Sequence, residues 1–190
     1  MQINRVIKIF SAIIVFIVTM TFAMVSCSAN PKTTAALSQH TSTFTAPNSS
    51  EATVSVFLAN ANVKAGDNFT VDVLIDSKVA LRGAQCALSF DPSLMKCDNA
   101  VEGTYFKDWA HANGSSTMVV PQPSIDNSTG HVSDIGVAIM GTEEGGAEGS
   151  GVFCIYNFTA LSDGVAKPTL SDVILADENG KTVPAMVSGN

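Results

Sequence analysis

Charge is scarce in this chain, and positive charge scarcest of all. Only 14% of the 190 residues are charged, with 10 Lys and Arg against 17 Asp and Glu. All the acids follow residue 50, so a chain cut before Cys27 would keep 8 basic residues and carry a net charge of −9 (8 − 17). Such a surface favours solubility and argues against nucleic acid as a partner. Metal-binding spacing is also missing. Cys27, Cys86, Cys97 and Cys154 form no CxxC and no Cys/His cluster, which argues against zinc. His40, His111 and His131 are scattered, neither G-x-S-x-G nor HExxH occurs, and no carboxylates can be paired for acid-base work. The reading is therefore not an enzyme.

The N-terminus is of a different kind. Arg5 and Lys8 precede an apolar run, Ile9–Val25, broken only by Ser11, Thr19 and Thr21, and Met24-Val25-Ser26-Cys27 follows. This end resembles the lipobox of bacterial lipoproteins, with Met24 where leucine is commoner. The resemblance implies a signal peptide over 1–26, cleavage before Cys27, and lipidation of Cys27 as the new N-terminus. Two acyl chains hold a protein on a membrane where one does not, so the expected location is the cell surface. An uncleaved helix of about 17 residues, near the short limit for spanning the bilayer, and ordinary secretion are the other readings. Residues 27–50 hold ten Ser/Thr after Cys27 and few large apolar side chains. They read as a linker that cannot bury enough surface to offset chain entropy, spanning on the order of 25–30 Å as a flexible coil.

From Glu51 to the end, no window of a dozen residues carries a convincing 3.6-residue apolar repeat. Short runs rich in β-branched residues alternate with turn signals instead. Strands are expected at Thr53–Ala59, Phe69–Ile75, Leu81–Phe90, Leu94–Val101, Ser116–Val120, Val132–Met140, Gly151–Leu161, Thr169–Ala176 and Thr182–Val187. Gly103–Trp109 is expected as a connection with some aromatic packing. The pattern predicts an all-β sandwich or barrel over 51–190, long enough to need no covalent staples. In Leu81–Phe90, Ala84, Cys86, Leu88 and Phe90 fall on one face, and Gly83, Gln85, Ala87 and Ser89 on the other. Asp91-Pro92 then ends the strand, since proline fixes φ and lacks a donor.

Cys86 and Cys97 stand equally far from that corner. A disulfide between them and a pair of buried thiols are both open, the thiols preferred because cysteine packs as a small hydrophobe. Cys154 is then left without a partner. Gly141–Gly151 reads as a glycine-rich acidic loop, with a weak calcium site through Glu143, Glu144 and Glu148 as the minor alternative.

In order and spacing, several motifs together resemble a cohesin domain, the receptor module of cellulosomes. They are Gly66-Asp67 before Val71 and Val73, Leu81-Arg82-Gly83-Ala84-Gln85, and Leu88-Ser89-Phe90-Asp91-Pro92 with Leu94. Later come Gly149-Ser150-Gly151-Val152-Phe153, Phe158-Thr159-Ala160, Leu170-Ser171-Asp172-Val173, Asn179-Gly180 and Val183-Pro184. The resemblance implies a nine-stranded jelly-roll β-sandwich. It also implies a protein partner, a dockerin-type module that carries calcium itself, docked on the sheet holding the third, fifth and sixth strands. Carried over by position, the partner-binding face is Gly83, Gln85, Ala87 and Ser89 with Asp134, Gly136 and Ala138, beside Met140. Bulky Ile135, Val137 and Ile139 point inward. A link to polysaccharide breakdown follows from the same resemblance. The rival within the fold superfamily is a carbohydrate-binding module, for which Tyr105 and Trp109, four apart in one connection, would have to form the sugar platform.

Overall fold

The computed structural model describes residues 51–189. The expectations placed on 1–50, namely the signal peptide, the lipidated Cys27 and the linker, lie outside the described residues. Among the described residues no helix is long and apolar enough to cross a membrane.

The longest element is strand β3, Asn68–Ser89, preceded by β1 (Ala52–Phe57) and the short β2 (Asn62–Val63). After β3 come β4 (Met95–Glu102), helix α1 (Tyr105–Ala112), β5 (Ser116–Val119) and β6 (Ile125–Asp126). The chain then continues through β7 (His131–Met140), β8 (Ala147–Ala160), β9 (Gly164–Val165), β10 (Thr169–Asp177) and β11 (Ala185–Ser188). Strand β3 belongs to both layers. Its first half pairs with β1 and β8, and its second half with β10 and β7. One layer therefore runs β11-β1-β3-β8-β4 and the other β10-β3-β7-β5. Counting the two halves of β3 separately gives the nine strands of the expected jelly-roll sandwich. β6 pairs antiparallel with the start of β7, and β2 and β9 pair with each other as a separate ribbon.

The sequence of β3 explains its double membership. Val71, Val73 and Ile75 are buried at odd positions, whereas Ala84, Cys86 and Leu88 are buried at even ones. The side-chain period of a strand is two, so the change of parity between Leu81 and Ala84 marks where the inward face is exchanged. Against β8, Ser77 pairs with Gly149 but Leu81 with Ala147, so β3 has two extra residues there. Buried Ser77 closes this crossing locally: its Oγ donates to Val79 O at 2.7 Å and accepts from Val79 N at 3.1 Å.

Between the layers lie Val54, Val71, Val73, Ile75, Leu81, Leu88, Ile135, Phe153, Tyr156 and Phe158. Ile135, Val137 and Ile139 of β7 are buried as expected. Phe158 stacks on Phe69 and meets Phe90 edge-on. At the corner after β3, Asp91 Oδ1 accepts from Ser93 N and Ser93 Oγ, while Leu94 N and Met95 N donate to Asp91 O. The corner delivers the chain from one sheet to the other, since β4 pairs with β8.

Four expectations change, the first being that the end of the expected loop Gly141–Gly151 already belongs to β8, which starts at Ala147. Phe69–Ile75 and Leu81–Phe90 are halves of one strand. Thr182–Val187 shrinks to Ala185–Ser188, with Thr182 making only an isolated bridge to Ala176. Gly103–Trp109 is largely helical: α1 closes one end of the sandwich with Tyr105, Phe106 and Ala110 buried. Eight residues make barely two turns, too few for a repeat to emerge over a dozen positions. The cysteines follow the preferred expectation of buried thiols but not the proposed Cys86–Cys97 proximity. All three described thiols are free and buried, and the neighbour of Cys86 is Cys154, not Cys97.

Asn127, in the turn between β6 and β7, acts as a substitute strand partner for β4. Its Oδ1 accepts from Cys97 N at 2.8 Å and its Nδ2 donates to Cys97 O at 2.9 Å. Asn127→Ala strips both hydrogen bonds from a half-buried backbone and should lower stability by about 1–2 kcal/mol. A urea titration followed by circular dichroism checks it, and an unchanged midpoint would show that water replaces the clamp.

Candidate functional site

The outward face of β10-β3-β7-β5 is built by register. Ala176 pairs with Gly83, Gly83 with Ala138, and Ala138 with Met118, giving one row of small residues ended by a methionine. In the next row Ile174 faces Gln85 and Gln85 faces Gly136. Gly83, Ala138 and Ala176 are each partly exposed, so the row can be approached closely, and a Cβ built on Gly83 would meet Val137 O at a tight 3.3 Å.

Further along β3 the face becomes polar, and two bulges make it so. Between Cys86 and Leu88 the register with β7 slips, setting Ser133 and Asp134 together beside Ala87. On the other flank the register with β10 slips between Ser171 and Ile174, inserting Asp172 and Val173. Asp172 has φ +52°, an uncommon conformation outside glycine that Asp tolerates better than most residues. A bulge re-aims a side chain, and here the Asp134 and Asp172 carboxylates lie close enough to repel. Partial burial raises the Asp134 pKa above the usual carboxylate value, and repulsion from Asp172 adds to it, while the Gln85 side chain and His131 work in the opposite direction. Asp134 Oδ1 is buried without a hydrogen bond. Ser89 Oγ and His131 Nδ1, 3.4 Å apart, complete the polar end.

The expected face residues thus share one sheet, with two corrections. Ala87 is only 1% exposed and can give a partner nothing but shape. Gly136 is also buried: a Cβ there would come within 2.3 Å of Val120 O and 2.8 Å of Pro121 Cδ, because the chain leaving β5 passes over it. Gly83, Gln85, Ser89, Asp134 and Ala138 remain accessible in part, as does Met140, which pairs with Ser116. Sequence reasoning missed Asp172, His131, Ile174 and Met118. Strand parity alone would have found Met118, whereas Asp172 depends on a bulge that composition does not announce.

The sugar platform does not form as expected. Tyr105 is 6% exposed and its hydroxyl donates to Ala147 O at 3.1 Å. Trp109 is half-buried, with the Arg82 guanidinium 5.7 Å from its ring centroid. The acidic loop is fastened through its backbone: Arg82 donates to Glu143 O and to Gly145 O (3.0 Å), and Gly145 N donates to Glu178 Oε2 (2.9 Å). Glu143, Glu144 and Glu148 do not converge, and no group of three potential metal ligands occurs among the described residues.

The family model of the cohesin domain matches residues 54–189. No curated protein sequence matches the chain. Among solved structures, the chain is similar to the second type II cohesin module of the cellulosomal adaptor ScaA scaffoldin of Acetivibrio cellulolyticus. That pair shares 13% identity over 74% of this chain and 95% of that one, with a TM-score of 0.61. A type II cohesin–X–dockerin complex from the same organism gives 14% identity, 73% and 96% coverage, and a TM-score of 0.60. A non-cellulosomal cohesin from the archaeon Archaeoglobus fulgidus gives 16% identity, 72% and 88% coverage, and a TM-score of 0.51. At such identities the structures speak for the fold, and the family model speaks for the family. The chain belongs to the cohesin domain family, whose members are non-catalytic protein-binding modules.

Proposed function

We propose that this chain is an exported, lipid-anchored cohesin that captures a dockerin-type module of another protein on the outward face of β10-β3-β7-β5. The observation that carries the reading is the division of that face. An open row of small residues, Ala176, Gly83 and Ala138, lies beside a carboxylate pair, Asp134 and Asp172, that receives no salt bridge from this chain's described lysines or arginine. A helix can approach the small row closely, and a partner donor or cation can satisfy the idle Asp134 oxygen, which fixes register. The related complex from Acetivibrio cellulolyticus contains a dockerin, and that partner class suits this face. If the dockerin is carried by a polysaccharide-degrading enzyme, the anchored module holds that activity at the cell surface.

Exported proteins of the same genome that carry paired D-x-N-x-D-G repeats are the candidate partners. Calcium-dependent capture of one by the immobilised chain, abolished by chelator, is the expected result; capture of none of them in calcium would sink the dockerin reading. With a captured partner in hand, Gln85→Lys should weaken binding at least tenfold with the circular dichroism spectrum unchanged, because it places a long cation in the centre of the face.

Asp134 gives a test that needs no partner. A carboxyl whose pKa is raised on folding favours the folded state while protonated, and that contribution is lost as pH rises through the folded-state value. Asp134→Asn should therefore be the more stable protein at pH 7, on the order of 0.5 kcal/mol for a solvent-screened group. The difference should close below about pH 4, where the unfolded carboxyl is itself protonated. Urea midpoints at pH 3.5 and 7 measure it, and a variant less stable at pH 7 would contradict the uncompensated carboxylate.

The anchor is tested separately. Labelled fatty acid should enter the full chain expressed in a bacterium with lipoprotein processing and be absent from Cys27→Ala. Equal labelling of the two would exclude Cys27 as the lipidation site.

A further inference from the structure

Cys86 and Cys154 lie in different layers. Cys86 is on the second half of β3 and Cys154 on β8, in the middle of the core, with exposures of 1% and 0%. Their sulfurs are 4.0 Å apart, and the Tyr156 hydroxyl lies 3.6 Å from the Cys86 sulfur. Cys97 is engaged differently, its thiol donating to Asn99 O within its own strand at 3.4 Å. Two thiols in van der Waals contact across a sandwich differ from ordinary core packing, because either sulfur is the other's nearest reactive neighbour. A disulfide requires about 2 Å of further approach by the two sulfurs.

We propose that Cys86 and Cys154 are a disulfide-forming pair, closed by exchange with a disulfide-bearing oxidant while the sandwich is still open, so that the finished bond staples the two sheets. One thiolate attacks a sulfur of the oxidant and expels a thiolate, leaving a mixed disulfide. The second cysteine thiolate then attacks the mixed disulfide and expels the other half. The chain gives up two electrons and two protons, and the oxidant leaves as two thiols. Exchange belongs to the open chain for a physical reason: in the finished core both cysteines are shut away from any oxidant, and burial pushes the Cys154 thiol well above its ordinary pKa, away from the attacking thiolate form. The bond would join residues 68 apart and restrict the unfolded ensemble.

The test unfolds the full chain in urea with reductant, then refolds it in oxidised and reduced glutathione, the probe oxidant, and in dithiothreitol alone as control. Tryptic digestion without reduction separates all four cysteines, because Cys27 falls in Ile9–Lys32, Cys86 in Gly83–Lys96, Cys97 in Cys97–Lys107 and Cys154 in Asp108–Lys181, Pro168 blocking cleavage after Lys167. The expected result is a loss of about 2 Da, a linked species of the Cys86 and Cys154 peptides, free Cys97, and the same far-ultraviolet spectrum as the control. The urea midpoint of the oxidised form should rise by more than about 1 M and return on reduction. Free thiols at both Cys86 and Cys154 after native refolding would overturn the proposal. So would a bond to Cys97, or a linked species that fails to recover the native spectrum. Wild-type mapping decides the matter without any variant that might fail to fold.

Discussion

Everything in this fold hangs on one strand serving two sheets. β3 runs 22 residues without a turn, lending its first half to the layer with β1 and β8 and its second half to the layer with β10 and β7. A strand in that position must exchange its inward face partway, and the exchange costs two extra residues and a buried serine at the crossing. Once the crossing is fixed, the register of both layers follows from it, because each layer contains half of β3 in its interior. The core is continuous across the two layers for the same reason.

The outward face inherits its chemistry from irregularities beside that strand. Regular pairing would give alternating small residues and little else. The bulges on β7 and β10 break the alternation on either side of Cys86–Leu88 and bring Asp134 and Asp172 toward one another. The Asp134 carboxylate is unfavourable in the free protein, since partial burial and the nearby Asp172 both oppose its charge. On the proposed docking face that cost would be offset once a partner supplied the missing donor.

Much of this was legible in the sequence, because a strand's period of two writes its faces directly into residue order. Ala84, Cys86, Leu88 and Phe90 could be assigned inward from parity alone, and Ile135, Val137 and Ile139 likewise. What parity cannot register is a residue that does not count. Each bulge adds a position without a partner, so Ala87 reads as outward and accessible yet is buried, and Asp172 reads as one more strand residue. Gly136 escapes for another reason: its cover, Val120-Pro121, comes from a neighbouring strand end, and contact between distant segments leaves no local pattern. Helix α1 was missed because its apolar positions, Tyr105, Phe106 and Ala110, are too few to show a period. The Cys86–Cys154 contact is non-local as well, joining positions 68 apart, whereas Cys97 is the cysteine nearer to Cys86 in sequence.

The pairing of β1 with β11 also bears on how the module responds to force. The two strands run parallel, with Ala52 beside Ala185 and Ser55 beside Ser188. Tension applied between the Ala52 end of β1 and the Ser188 end of β11 therefore pulls along the strands in opposite senses. The hydrogen bonds between them are loaded together in shear, where an antiparallel pair pulled from one end would open bond by bond. A domain held at one end and drawn from the other would yield only when the whole ladder slips at once.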